Sequence, residues 1–215
     1  MVIALILTYF LGGLSVAIGC VAYAFYGWQT YAGVVRPHPL TWLMFGVLTS
    51  TSYWIQVDQH AGPGSWVMLL TAICSFMLAA VSVYLGERTF PFGEWFLFGL
   101  SLFAFFVYLH TRQPNTSALF ATAVDVLAYS PTIMRLNRAP EKESSQNFLL
   151  NGAKFIPALF AMTTFSFSTA FYPAVIAVVN VVMAGVIWKR QGHELTVHAI
   201  ARDYRLYFQL ARRID

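Results

Sequence analysis

Residues 26–45 read YGWQTYAGVVRPHPLTWLMF, and residues 129–148 read YSPTIMRLNRAPEKESSQNF. An offset of 103 residues places Tyr26 on Tyr129, Pro37 on Pro140, Thr41 on Ser144 and Phe45 on Phe148, with Gln29 meeting Thr132. Each stretch leaves an apolar run, crosses a short loop with a charge and a proline, and enters a new apolar run. Self-similarity at a fixed offset is the mark of a duplicated unit, and this one organises the chain.

Of the 215 residues, 58% are hydrophobic and only 10% charged, with a mean hydropathy of +0.63. A soluble domain carries about 25% charged residues, so the chain reads as an integral membrane protein whose main partner is the lipid bilayer. Its apolar runs are continuous and long rather than alternating, which predicts helices. Seven spans are expected, over 5–34 (its inner end projecting from the bilayer), 39–57, 65–85, 94–111, 116–137, 146–163 and 170–188. The same offset carries the second span onto the sixth and the third onto the seventh, and leaves the fourth without a counterpart. The expected fold is therefore an all-α membrane protein with seven transmembrane helices. A first three-helix repeat covers 1–90, a linker helix 91–114, a second three-helix repeat 115–190, and a cytoplasmic amphipathic tail 191–215. Four crossings separate the starts of the repeats, so the two bundles run parallel. Parallel repeats imply a pseudo-two-fold axis along the membrane normal, with any site between the halves near mid-membrane.

The basic residues orient the chain. With the N-terminus outside, the inner segments hold Arg36, Arg88, Arg135, Arg138, Lys142, Lys189, Arg190, Arg202, Arg205, Arg212 and Arg213, which is 11 of the 13 lysines and arginines. Arg112 alone is outside, and Lys154 is within a span. This asymmetry predicts an external N-terminus and a cytoplasmic C-terminus, and accounts for the isoelectric point near 9.2 without a nucleic-acid partner. The first span has no polar n-region or cleavage pattern and does not read as a signal peptide. In the tail, Val197, Ile200, Ala201, Tyr204, Phe208 and Ala211 form one stripe and the arginines lie mostly elsewhere. That pattern suits a helix on the inner leaflet or one that docks a membrane partner.

Strongly polar groups are rare inside the spans. Asp125 in the fifth, Lys154 with Asn151 in the sixth, and Asn180 in the seventh fall at similar depth near the bilayer centre. An unpaired charge there costs roughly 2.5–3.5 kcal/mol on the milder insertion scale, and Asp125 and Lys154 can offset it by pairing. Tyr129 and Thr132 follow Asp125 at helical spacing, and Asn147, Asn151 and Lys154 share a face. Intramembrane ionisable groups point to function by default, here solute binding or proton coupling; a structural ion pair is the alternative. The first half offers Ser50, Tyr53, Trp54 and Gln56 instead. Trp54 suits either stacking on a solute or anchoring at the membrane surface. Pro131 and Pro157 sit inside spans, where each removes a backbone donor and kinks its helix.

Other chemistries lack their residues. Cys20 and Cys74 have neither metal-ligand nor disulfide spacing. His38, His60, His110, His193 and His198 scatter over loops and tail, without zinc spacing, and read as solvated or interfacial. Asp58 and His60 share an outer loop. No nucleophile-base motif or phosphate loop is present. A retinal-type lysine would belong on the last span, whose 170–188 core has none. No enzyme, cofactor or metal is expected.

The 3+1+3 plan with an external N-terminus resembles the SWEET and PQ-loop superfamily, whose mark is a Pro-Gln pair near the inner end of the first helix of each half. This chain has SPTI at 130–133 and GWQT at 27–30, so each half keeps one letter of the pair. The resemblance implies a transporter, facilitator or proton-coupled carrier, of a small polar solute such as a sugar, amino acid or vitamin. Alternating access would work between the two halves, with Pro131 and Pro157 as gate or kink positions. A non-transporting receptor, or an assembly subunit that forms a homo-oligomer or docks a membrane partner through its tail, is the second expectation, since one fold hosts unrelated functions.

In a background free of Cys20 and Cys74, cysteines at Asp58 and at Asn137 are expected to label from opposite sides of sealed cells. Labelling from one side overturns the predicted topology.

Overall fold

The computed structural model describes residues 2–86, 92–136 and 143–191. The amphipathic tail from 192 onward, Pro140 and the loop charges Arg88, Arg138 and Lys142 lie outside the described residues. Among those described, every regular element is a helix. In chain order they are α1 (Val2–Tyr31), α2 (Pro39–Asp58), a 3-10 turn (Gly62–Ser65) leading into α3 (Trp66–Leu85), α4 (Phe92–Thr111), α5 (Pro114–Ala128), α6 (Ser130–Leu136), α7 (Ser145–Ala153), α8 (Phe155–Phe160) and α9 (Phe167–Arg190).

Four helical stretches are long and apolar enough to cross a bilayer: Val2–Tyr31, Gly62–Leu85, Phe92–Thr111 and Phe167–Arg190. The protein is thus an all-α membrane protein. The other helices fall short for local reasons. α2 is diluted by Thr41, Thr49, Ser50, Thr51, Ser52 and Gln56, and the expected fifth and sixth spans are each broken in two.

Local chemistry sets the helix ends. α1 stops where Gly33 takes φ +73°, a left-handed conformation that glycine adopts without strain. α2 and α5 each begin with a proline, whose missing N–H is an orphan in the first turn anyway. α9 opens on a capping box between Ser166 and Thr169.

Prolines explain the interior breaks, because each leaves the carbonyl four residues earlier without its helical donor. Pro131 stands in the first turn of α6, just after the chain turns at Tyr129. The carbonyl it frees, that of Leu127, accepts from Ser130 Oγ at 2.5 Å. Pro157 stands in α8, and its helix is interrupted at Lys154. The carbonyl four residues before Pro157 is that of Ala153; the next one, of Lys154, accepts from Ser15 Oγ of α1 at 2.6 Å. Pro173 lies inside α9 without breaking it; the Thr169 carbonyl that it frees accepts from Gln56 Nε2 of α2 at 2.9 Å. Membrane helices tolerate proline where neighbours supply such donors.

Packing follows a recurring order. α3 packs against both α1 and α2, and α9 packs against both α5 and α7. α1 contacts α7 and α8, α2 contacts α5, and α4 lies against α2 and α5. The largest cluster of buried apolar residues, with Leu48, Met68, Val124, Phe155 and Ile176 among its members, joins α2, α3, α5, α8 and α9.

One end of the assembly is sewn shut by main-chain bonds. Gly64 N donates to the Ala161 carbonyl at 3.1 Å and Thr163 N to the Ala61 carbonyl at 3.0 Å, while Thr163 Oγ1 donates to the His60 carbonyl at 2.7 Å. Gly64 permits this approach: a Cβ there would lie 2.7 Å from the Ala158 carbonyl oxygen and 2.6 Å from Met162 Cγ. By contrast, nothing lies within 4 Å of a Cβ added at Gly27. Gly64→Val is accordingly expected to lower stability in detergent by about 1–3 kcal/mol through overpacking. Gly27→Ala should be neutral or slightly stabilising. Equal thermal shifts for the two variants would contradict the close approach.

Candidate functional site

A cavity of about 550 Å³ runs between the helices from the end opposite the sewn one. The exposed residues Gly33 and Arg36, with Glu143 and Ser144, line its mouth. Inward lies a collar of aromatic rings in successive contact. Tyr26 meets Trp42 at 4.9 Å between centroids, Trp42 meets Phe45 at 5.8 Å, Phe45 meets Tyr129 at 5.6 Å, and Tyr129 meets Phe148 at 6.3 Å. These rings come from α1, α2, the α5–α6 turn and α7, so the collar draws on both halves of the sequence.

Beyond the collar the floor is charged. Asp125 of α5 is 2% exposed and Lys154, at the α7–α8 break, 1%. Asp125 Oδ2 accepts from Tyr172 OH of α9 at 2.7 Å. Asp125 Oδ1 is buried and has no hydrogen-bond partner among the described residues. Lys154 Nζ donates to Tyr23 OH of α1 at 2.9 Å and to Asn151 Oδ1 at 2.8 Å, and stands 4.4 Å from the Tyr23 ring centroid. Asn180 Nδ2 donates to Tyr129 OH at 2.9 Å and to the Ile176 carbonyl at 2.8 Å. Thr49, Thr71 and Ser75 complete the floor from α2 and α3.

Of the residues expected from sequence, Asp125, Tyr129, Thr132, Asn151, Lys154 and Asn180 all line this cavity. Four do not. Tyr53 packs beside the apolar core, and Trp54, 49% exposed, meets only the edge of Tyr53 within the described aromatic contacts. Trp54 points away because α2 turns the Thr49 face inward, whereas Tyr53, one turn beyond Thr49 on that face, lies against the core past the cavity. Pro157 is buried in α8 outside the cavity; Pro131 is the second residue of α6, and its side chain lies outside the described residues. The hydroxyl wall expected of the first half exists, but Thr49, Thr71, Ser75 and Tyr23 build it. Ser50 bonds its own helix at Gly46, and Gln56 serves the closed end.

Two further expectations change. Asp125 and Lys154 do not pair directly: their charged atoms stand more than 4.0 Å apart, each held by a tyrosine instead. His38 is not solvated: it is 3% exposed, lines the cavity, and places Nδ1 2.9 Å from Oε2 of the buried Glu94 in α4. Asp58 is an acceptor for Tyr108 OH and for Arg112, 3.3 Å away, so it ties α2 to the end of α4.

Sequence reasoning missed Tyr23, Tyr172, Ser15 and Glu94. A signal existed for Tyr172, since Tyr172, Ile176 and Asn180 share one face at helical spacing. None existed for Tyr23, whose partner is 131 residues away. Among the described residues, no three of His, Cys, Asp and Glu converge as a metal site.

The chain matches no protein-family model, no curated protein and no solved structure.

Double-mutant cycles test the floor geometry. Tyr23→Phe with Lys154→Met should couple by about 1.5–3 kcal/mol, the range for a hydrogen bond to a charged group. Asp125→Asn with Lys154→Met should couple less. A larger coupling for the second pair, measured by unfolding in detergent, would mean that the two charges meet.

Proposed function

We propose that the protein is a seven-span carrier of a small polar solute, with the N-terminus outside and the C-terminus cytoplasmic. The observation that carries this reading is the cavity: a charged floor deep in an apolar helical protein, open at one end and closed at the other. A channel would be open at both ends, and a structural core would leave no such volume.

Several features support two parallel halves, 1–90 and 115–190. α3 between α1 and α2 is matched by α9 between α5 and α7, and the contact of α1 with α7 and α8 is matched by that of α5 with α2. Pairs related by the offset of 103, Tyr26 and Tyr129, Thr41 and Ser144, Phe45 and Phe148, all line the cavity. A pseudo-two-fold axis through the cavity accounts for both. The plan remains similar to that of the SWEET and PQ-loop superfamily. With the orientation given by the basic residues, the mouth faces the cytoplasm and the sewn end faces outside.

Alternating access then requires few bonds to exchange. Opening the outer end breaks the four cross-links described above, each worth about 1 kcal/mol net. Closing the inner end brings together the collar and the 33–38 and 143–144 segments. The break at Tyr129, with Pro131 behind it, lets α6 swing without unwinding α5. Asp125 is the group a proton or the solute meets at the floor. The competing reading, a receptor or assembly subunit, drew on a closed Asp125–Lys154 pair, and each of these charges is bonded elsewhere.

Uptake into proteoliposomes tests the proposal with a panel of sugars, amino acids and vitamins, with and without a pH gradient. The wild type should move at least one solute. Asp125→Asn should abolish gradient-driven uptake, because an amide releases no proton. Pro131→Ala should slow transport while leaving binding intact. Failure of every solute to move, together with a protein that co-purifies through 192–214, would replace the carrier with the subunit.

A further inference from the structure

The floor charges are arranged in a way that a structural ion pair does not explain. Two opposite charges buried in one cavity minimise their energy by closing on each other. Here each is held back by groups from other helices. Tyr172 takes one oxygen of Asp125, and Tyr23 with Asn151 takes two of the three protons of Lys154. What remains is one acceptor, Asp125 Oδ1, and the third N–H of Lys154, whose ammonium has beyond these bonds only the faces of the Tyr23 and Phe155 rings, 4.4 and 5.0 Å from their centroids. A buried carboxylate oxygen without a partner is costly, and the missing partner must be a donor. An anionic acceptor would serve the remaining lysine proton better than a ring face does.

We propose that Asp125 and Lys154 are a split ion pair closed by the dipole of the solute itself. On this inference, which rests on the carrier reading, the ligand is a small zwitterion. Its anionic group lies on Lys154 and its ammonium on Asp125 Oδ1. Charge balance favours this class: one buried negative and one buried positive group are neutralised together only by a ligand that carries both signs. A neutral polyol leaves both charges uncompensated, and a simple anion or cation leaves one. The polar face formed by Asn147 Oδ1, also without a partner, and by Thr71 and Ser75 can take further donors and acceptors. The aromatic collar above the floor accommodates an apolar body. Tyr23 and Tyr172 are then positioning residues that set the separation of the two charges, and hence the length of ligand that fits.

A length series reads that separation. Binding of the linear ω-amino acids from glycine to 6-aminohexanoate to the purified full chain in detergent is followed by calorimetry and by the fluorescence of the cavity tryptophan, Trp42. Chain-matched carboxylates, amines and neutral polyols serve as comparison ligands. The expected result is tightest binding at one chain length, with the matched carboxylate and amine weaker by about tenfold or more. Asp125→Asn should reduce the zwitterion to the level of the carboxylate, and Lys154→Met to that of the amine. Tyr172→Phe should shift or flatten the length optimum while the protein remains folded by circular dichroism. Tightest binding of a polyol, equal binding of zwitterion and carboxylate, or no binding of any zwitterion overturns the proposal; the wild-type series alone decides this if a variant does not fold. Transport of another solute class in proteoliposomes would leave the carrier standing without the split pair. Zwitterion binding without transport of any solute would do the reverse.

Discussion

Lys154 carries an ammonium into the middle of an apolar protein, and much of the architecture serves to hold it there. Its side chain bonds Tyr23 and its carbonyl bonds Ser15, both on α1. One residue thus fastens the first helix to the broken α7–α8 segment through side chain and backbone at once. The Lys154 carbonyl stands at the N-cap of α8, and a carbonyl has two lone pairs, so it can accept from Ser15 whatever bond it makes within its own helix. The charge, the break and the contact of α1 with α7 and α8 are one feature.

The same economy recurs at the closed end. Pro173 frees the Thr169 carbonyl, and Gln56 reaches across from α2 to satisfy it. In a medium without water, a freed carbonyl must find a donor within the protein. A proline in one half therefore dictates a cross-link to the other. The bonds at His60, Ala61 and Gly64 extend that link into a seam. None involves a charged group, so the seam is held by many modest bonds and can part without exposing a charge.

The collar and the floor of the cavity differ in how they relate to the sequence offset of 103. At the collar, positions related by the offset carry similar volumes, Tyr26 with Tyr129 and Phe45 with Phe148. The floor departs from that symmetry. Asp125 faces a half that has Ala22 at its counterpart position, and Lys154 one that has Thr51. A symmetric floor would set like charges against each other, so an acid and a base in one cavity require the halves to differ.

Much of the fold was legible in the sequence, because it rests on local properties. Hydropathy revealed the membrane class and approximate helix positions. The scarcity of polar residues singled out Asp125, Lys154 and Asn180, whose common depth follows from counting residues along helices. Tertiary structure decided the partners. Tyr172 and Tyr23 reach their charges from 47 and 131 residues away, and no local pattern distinguishes a tyrosine that does so from one that packs. For the same reason a charge pair that looked closed is held open, and His38, in a loop by its neighbours, is buried against Glu94. Trp54 looked like a site residue by type, yet it faces outward because the register of α2 turns Thr49 to the cavity. Residue type and spacing determine which groups must be satisfied; only the packing of distant helices determines which group satisfies them.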